Sequence, residues 1–193
     1  KGVSLVIPTL LGWSESAVVY DIKGENWAKT AGYRQSLGQL CLQFAPCDES
    51  GRTTRFNPLA EVRVGSLRDV SDAQNIADIL VKNLDNKPND THWIDTAAII
   101  VTGAILHVCY VAFGEAREAN LADLASLFSI YGQNFRDTLK VMAATEHDKS
   151  GKLGWTLPDG RTTRVHPTVL ECVQKMLDKA DREFSSVVST INT

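Results

Sequence analysis

Asp21, Lys23 and Glu25 crowd around Gly24, two carboxylates and an ammonium on a stretch that a glycine lets turn sharply. Before them, Ala17, Val18, Val19, Tyr20 and Ile22 form a β-branched and aromatic run, which predicts a buried strand. After them, Trp27, Ala28, Ala31 and Tyr33 keep helical spacing. Strand, charged turn and helix make one step of an α/β fold, and such folds bind ligands beyond the carboxyl ends of their strands. The competing reading is that Asp21 and Glu25 only cap the helix that follows.

Other groups with chemical potential are scattered. Cys41, Cys47, Cys109 and Cys172 show no C-x-x-C spacing, and His92, His107, His147 and His166 pair with none of them, so no metal site is expected. Cys109 and Cys172 sit in apolar helical patterns, where a thiol acts as a small hydrophobe, and cysteine usage fits a reducing compartment. Pro158-Asp159-Gly160 between extended residues predicts a small hairpin over residues 155–165, with Trp155 near its base and Arg161 and Arg164 on its return. A charged turn, Gly114 to Glu118, carries Glu115 and Glu118. Trp155 either covers the end of a core or anchors a partner, since exposed aromatics anchor interfaces and charge steers encounter.

The elements that must position these groups fall into two parts. The 193 residues are 44% hydrophobic and 22% charged, an ordinary globular balance. Residues 1–60 carry six Lys+Arg against five Asp+Glu, and residues 61–193 fourteen against eighteen, the wrong sign for a broad phosphate-binding surface. Lys1 to Trp13 is apolar around Pro8, which would break a strand and kink a helix. Gly38 closes the first helix, and Leu40, Leu42 and Phe44 alternate as a second strand stopped at Pro46. Beyond residue 60 the pattern is helical. Val70, Ala73, Ile76, Ala77, Leu80 and Leu84 form one stripe behind a cap at Asp69 or Ser71, and Asn86 to Asp90 is a turn. The run Ala97 to Phe113 is uncharged but short of the about 20 apolar residues that a span needs, so a buried central helix capped by Asp90 or Thr91 is expected. Leu121 to Tyr131 and Phe135 to Ala144 are amphipathic, broken at Gly132, and one last helix runs from Pro167 through Ile191. The fold class is therefore α/β plus all-α, with domains at 1–60 and 61–193.

Taken in order, KGVSLVIPTLLGW, VVYDIKGENWAKTAGYR, RFNPLAEVR, DAQNIADILV and HWIDTAAIIVTGAILHVCY closely resemble the TraG-like coupling proteins of conjugation and type IV secretion. The resemblance is strong from Lys1 to about Tyr110 and continues as weaker helical motifs to Thr193. It implies an incomplete P-loop, RecA-like nucleotide-binding piece followed by an all-α domain concerned with cargo. Lys1 would be the final P-loop lysine, meeting the β- and γ-phosphates of ATP, and Gly2 follows it without the hydroxyl that usually reaches Mg²⁺. Asp21, Lys23 and Glu25 would then lie near the nucleotide or the neighbouring subunit. The chain starts inside what reads as a motif, so it reads as an excerpt of a longer protein. Its Walker B acids are not in the chain, and the excerpt alone is expected to be inactive. The longer protein would be a homo-hexameric ATPase using ATP and Mg²⁺ at the cytoplasmic side of the bacterial inner membrane. It would drive export of single-stranded DNA or effector proteins and recruit relaxase and relaxosome accessory proteins to the secretion machinery. Trp155, Arg161, Arg164, Glu115 and Glu118 are the candidate partner-binding residues. A helical protein-binding module without motor activity is the alternative, and an unrelated P-loop enzyme with a helical insertion a third.

Overall fold

A computed structural model describes residues 2–82, 91–129 and 135–191. The chain divides into two compact units, Lys1–Phe56 and Asn57–Thr193. Lys1, the Asn86–Asp90 turn, Leu84 and the Gly132 break lie outside the described residues.

In the first unit, Gly2–Val6 is a turn of π-helix that passes into α1 (Ile7–Gly12). Pro8 sits at the start of α1, where its missing N–H costs no hydrogen bond, and the wider π turn precedes it. The N-terminal stretch is thus helical with a change of winding at its proline. Helix α2 (Glu25–Ser36) follows, opened by Gly24 in the left-handed region at φ 71°. It closes on Gly38 at φ 83°, where Gly38 N–H donates to Gln35 O and Gln39 N–H to Arg34 O, a Schellman ending.

The two expected strands do not form. No strand exists among the described residues, and Val18, Tyr20, Ile22, Leu40, Leu42 and Phe44 are exposed outside any helix. Alternating apolar residues specify a strand only where a second strand accepts their ladder and a layer covers their face. Within this unit no described segment does either. The α/β character of residues 1–60 is therefore not realised in these residues.

The second unit is all helical. It comprises a 3₁₀ turn (Pro58–Glu61), α3 (Asp69–Lys82), α4 (Thr91–Gly114), α5 (Leu121–Ser129), α6 (Phe135–Ala144), α7 (Pro167–Leu177) and α8 (Asp181–Ile191). Helix α4, about 36 Å long at 1.5 Å per residue, is its axis, and α3, α5, α7 and α8 pack around it while α6 packs on α7. Ile100, Ala104, Ile105 and Leu106 are wholly buried, and apolar on all sides is what a central helix must be. Ile94–Gly114 is long and apolar enough to cross a membrane by composition, yet 78% of that window is buried inside the fold. The Pro58–Glu61 turn joins this unit through Leu59, which is buried in its core.

The last helix is two helices, not one. Nothing in Asp178-Lys179-Ala180 is a breaker, so the apolar stripe reads straight through. The break is held from outside by Arg136 of α6, whose guanidinium donates to Leu177 O (3.4 Å) and Asp181 Oδ1 (2.7 Å) and stacks 4.2 Å over the Phe184 ring.

Candidate functional site

The turn Asp21–Glu25 is built around the start of α2. Asp21 Oδ2 accepts the Trp27 backbone N–H at 2.9 Å and Oδ1 accepts from Asn26 Nδ2 at 3.3 Å. Both oxygens of Asp21 thus serve α2, the capping role read as its alternative. Lys23 and Glu25 are exposed on the same turn, and Gly2 lies exposed in the π turn. Arg34 organises the unit instead: its guanidinium donates to Leu10 O, Trp13 O and Glu15 O at 2.7, 2.7 and 2.8 Å. No sequence signal marked it, because an arginine on a helix reads as solvent-facing.

The hairpin forms as expected. Thr156 and Thr162 make an antiparallel bridge, Leu157 N–H donates to Arg161 O, Thr163 N–H to Trp155 O, and Gly160 turns the chain at φ 82°. Arg161 and Arg164 are exposed, paired with Asp159 (2.7 Å) and Glu146 (3.5 Å). The Arg161 guanidinium holds the Asp159 carboxyl below its usual range. Trp155 is half-buried and packs on the core, with ring centroids 4.7 Å from His166 and 5.3 Å from Tyr110. In the turn after α4, Glu115 pairs with Arg117 at 2.8 Å, Arg117 also reaches Asp123 at 2.8 Å, and Glu118 is exposed. Hairpin and turn are joined by no hydrogen bond or ion pair among the described residues.

Beneath the hairpin lies a cluster that the residue spacing did not reveal. His147, in the loop before the hairpin, and His166, just after it, meet His107 and Tyr110 of α4 and Asp69 at the start of α3, all five buried. The donors can be assigned from the backbone. His147 Nδ1 accepts the His166 backbone N–H (3.1 Å), so its Nε2 carries the proton and donates to His107 Nδ1 (3.0 Å). His166 Nδ1 accepts the Thr168 N–H (3.2 Å) as the cap of α7, so its Nε2–H faces Asp69 Oδ2 at 3.4 Å. Tyr110 donates to Asp69 Oδ2 and accepts the Gly65 N–H at 3.0 Å. Burial lowers His107 to about 4, and burial with the neighbouring imidazoles lowers His147 to about 3. Burial also lowers His166, partly offset by Asp69. All three imidazoles are neutral at pH 7.

Their paired nitrogens are directed at one another, the backbone and Asp69, and among the described residues no group of three or more His, Cys, Asp or Glu converges as a metal would require. Outside the cluster, the buried thiols Cys109 of α4 and Cys172 of α7 are pushed by burial to about 12 and about 11 and stay protonated at pH 7. The work of the cluster is positional, tying the foot of the hairpin to α3 and α4. A pocket of about 190 Å³ lined by His107, Val111, Arg117, Asp123 and Ser126 opens beside it. The sequence hint was there in part. His107 and Tyr110 are three apart on an otherwise apolar helix and so share a face, but only the fold shows what that face meets.

The family described as Type IV secretory system Conjugative DNA transfer matches residues 1–193. A conjugal transfer protein TraG of Escherichia coli is 36% identical over 98% of this chain and 28% of its own length, and a second is 35% identical over the same shares. The protein VirD4 of Agrobacterium fabrum is 39% identical over 62 residues, 32% of this chain and 9% of its own. No solved structure matches the chain at a significant level. The chain spans little more than a quarter of the length of the TraG relatives that it matches. With a match over its full length and relatives aligned across nearly all of it, this chain belongs to the conjugative DNA transfer family of type IV secretory systems.

Proposed function

We propose that this chain is the substrate-recruiting part of a type IV secretion coupling ATPase. The observation that carries the reading is the family match across residues 1–193, together with relatives named for conjugal transfer. In this reading the longer protein binds ATP with Mg²⁺, assembles as a homo-hexamer at the cytoplasmic face of the inner membrane, and moves a relaxosome DNA–protein complex or effector proteins. Lys1 and Gly2 belong to its phosphate-binding loop, and the exposed apolar residues of 17–22 and 40–44 belong to its sheet. The helical unit completes a core of its own, as a recruiting module would. Its hairpin, rooted on the buried histidines, presents Arg161 and Arg164 to a partner, and Glu115 and Glu118 add acidic contacts. The second reading, a protein-binding module without motor activity, draws support from Asp21, whose two oxygens are taken up by α2.

The test keeps Trp155, because that ring packs on the core. In the full-length protein, the double variant Arg161→Ala/Arg164→Ala should lose binding to relaxosome or effector proteins and lower transfer frequency, with ATP binding unchanged. Partner affinity equal to that of the parent protein refutes the hairpin as the docking element.

A further inference from the structure

His107 and Val111 of α4 are four residues apart, and Asp123, Ser126 and Leu127 of α5 are three and four apart, so each set shares one helix face. With Val108 and Arg117 they line the pocket of about 190 Å³. His107 is the member of the histidine cluster whose hydrogen bonding is unfinished. Its Nδ1 accepts from His147, so the neutral ring carries its proton on Nε2, which points nearly the opposite way. Burial holds this ring near 4, and the Nε2–H therefore persists at pH 7. Among the described residues Nε2 has no hydrogen-bond partner, although His107 is only 6% exposed, and the atom is not sealed from solvent. A ring N–H this far inside a protein calls for an acceptor, and the open space that His107 lines is the pocket.

The rest of the lining offers acceptors and apolar wall. Asp123 gives Oδ2 to Arg117 Nη1 (2.8 Å) and to the Asn120 N–H (2.9 Å), and no described group donates to its Oδ1. Ser126, half-buried, adds a hydroxyl. Arg117 is divided between Asp123 and Glu115, so two carboxylates face one guanidinium and the surroundings carry one net negative charge. We infer that this pocket takes the side-chain carboxamide of a glutamine on a partner protein, its oxygen accepting from His107 Nε2, its amide N–H groups donating to Asp123 and Ser126, and its two methylenes lying on Val108, Val111 and Leu127. The neighbouring chemistries each fail at one point. A carboxylate accepts from His107 but meets the negative charge of Asp123. A lysine or arginine suits Asp123 but brings no acceptor, and an apolar side chain leaves both groups unpaired. The volume is that of a side chain rather than of the about 300–1,000 Å³ sites that hold small molecules. That the glutamine belongs to a protein rests on the recruiting role proposed above; the pocket chemistry does not, and it is independent of the hairpin.

Short capped alanine peptides carrying one central glutamine, glutamate, lysine or methionine test this on the 193-residue chain, because their common main chain cancels in the comparison. Titrations at pH 7 are followed by the methyl NMR signals of Val108, Val111 and Leu127 and the imidazole signal of His107. The glutamine peptide should give saturable shifts at these four residues and bind about tenfold more tightly than each of the others, the cost of one group left unpaired. Val111→Phe fills the pocket from the α4 side and Ser126→Leu from the α5 side; either should abolish the shifts, and two variants on different helices guard against one that fails to fold. Four peptides of equal affinity, tighter binding of the glutamate, lysine or methionine peptide, or no saturable shift with any of them overturns the assignment. So does glutamine-peptide binding unchanged in both variants. None of these outcomes bears on Arg161 and Arg164, so failure here and failure of the recruiting role are read separately.

Discussion

Gly103 marks a close approach of α4 and α7, and the smallest possible side chain there puts the packing to a test. A Cβ built on Gly103 would lie 2.8 Å from Cys172 Cβ and 3.4 Å from its Sγ. Ordinary carbon contacts are 3.5–4.0 Å, so the shortfall is roughly 0.7 Å or more. Cys172 cannot swing away, because a Cβ is placed by its own backbone. Helix α7 itself must move, and it is buried at Val169, Cys172, Val173 and Met176. Overpacking of this kind costs about 1–3 kcal/mol, and replacing a helix-interior glycine by alanine returns roughly 0.5–1 kcal/mol. Gly103→Ala should therefore destabilise the helical unit by about 1–2 kcal/mol, lowering Tm by roughly 2–8 °C, measured by urea and thermal unfolding under circular dichroism. The control separates the two sulfur-side atoms: the effect should persist in a Cys172→Ala background, which keeps the Cβ, and vanish in Cys172→Gly. A Gly103→Ala protein as stable as its parent, or more so, shows that the two helices are not in contact at this point.

Ile105 is fully buried at the centre of α4, so Ile105→Ala should cost roughly 2–5 kcal/mol; a loss below about 0.5 kcal/mol in the same unfolding assay would put it at the surface. Helix α4 ends in a Schellman turn, with Arg117 N–H donating to Ala112 O and Ala116 N–H to Phe113 O, yet Ala116 holds the left-handed position at φ 56°. Ala116→Gly should stabilise by about 0.5–1 kcal/mol, since only glycine adopts that conformation without strain, and a drop in Tm contradicts the assignment. Stability should also depend on acid. The folded values of His107 (about 4) and His147 (about 3) lie below the unfolded value of 6.5. Folding thus releases protons there: stability is complete above pH 6.5 and falls as the pH drops toward those folded values, by roughly 2 kcal/mol per histidine between pH 6.5 and 5. Denaturation midpoints that stay level from pH 7.5 to 5 refute the buried neutral imidazoles.

The local pattern alone was enough to place the helices of the second unit, because apolar spacing at 3.6 residues, a proline at the first position of α7 and a Pro-Asp-Gly turn act over a few residues. The uncharged run of α4 likewise pointed to a helix buried on most sides, and the ordered motifs sufficed for the family. Three things were decided only by tertiary structure. The strands at residues 17–22 and 40–44 depend on partners, and an apolar stretch with no ladder beside it stays exposed and forms no strand. The stop between α7 and α8 is imposed by Arg136, an α6 residue more than forty positions away. The histidine cluster draws on α3, α4 and both flanks of the hairpin, positions that no spacing rule connects. Hydrogen bonds between buried polar groups are made by whichever segments the core brings within 3 Å, and that meeting is a property of the packed fold rather than of any window of the chain.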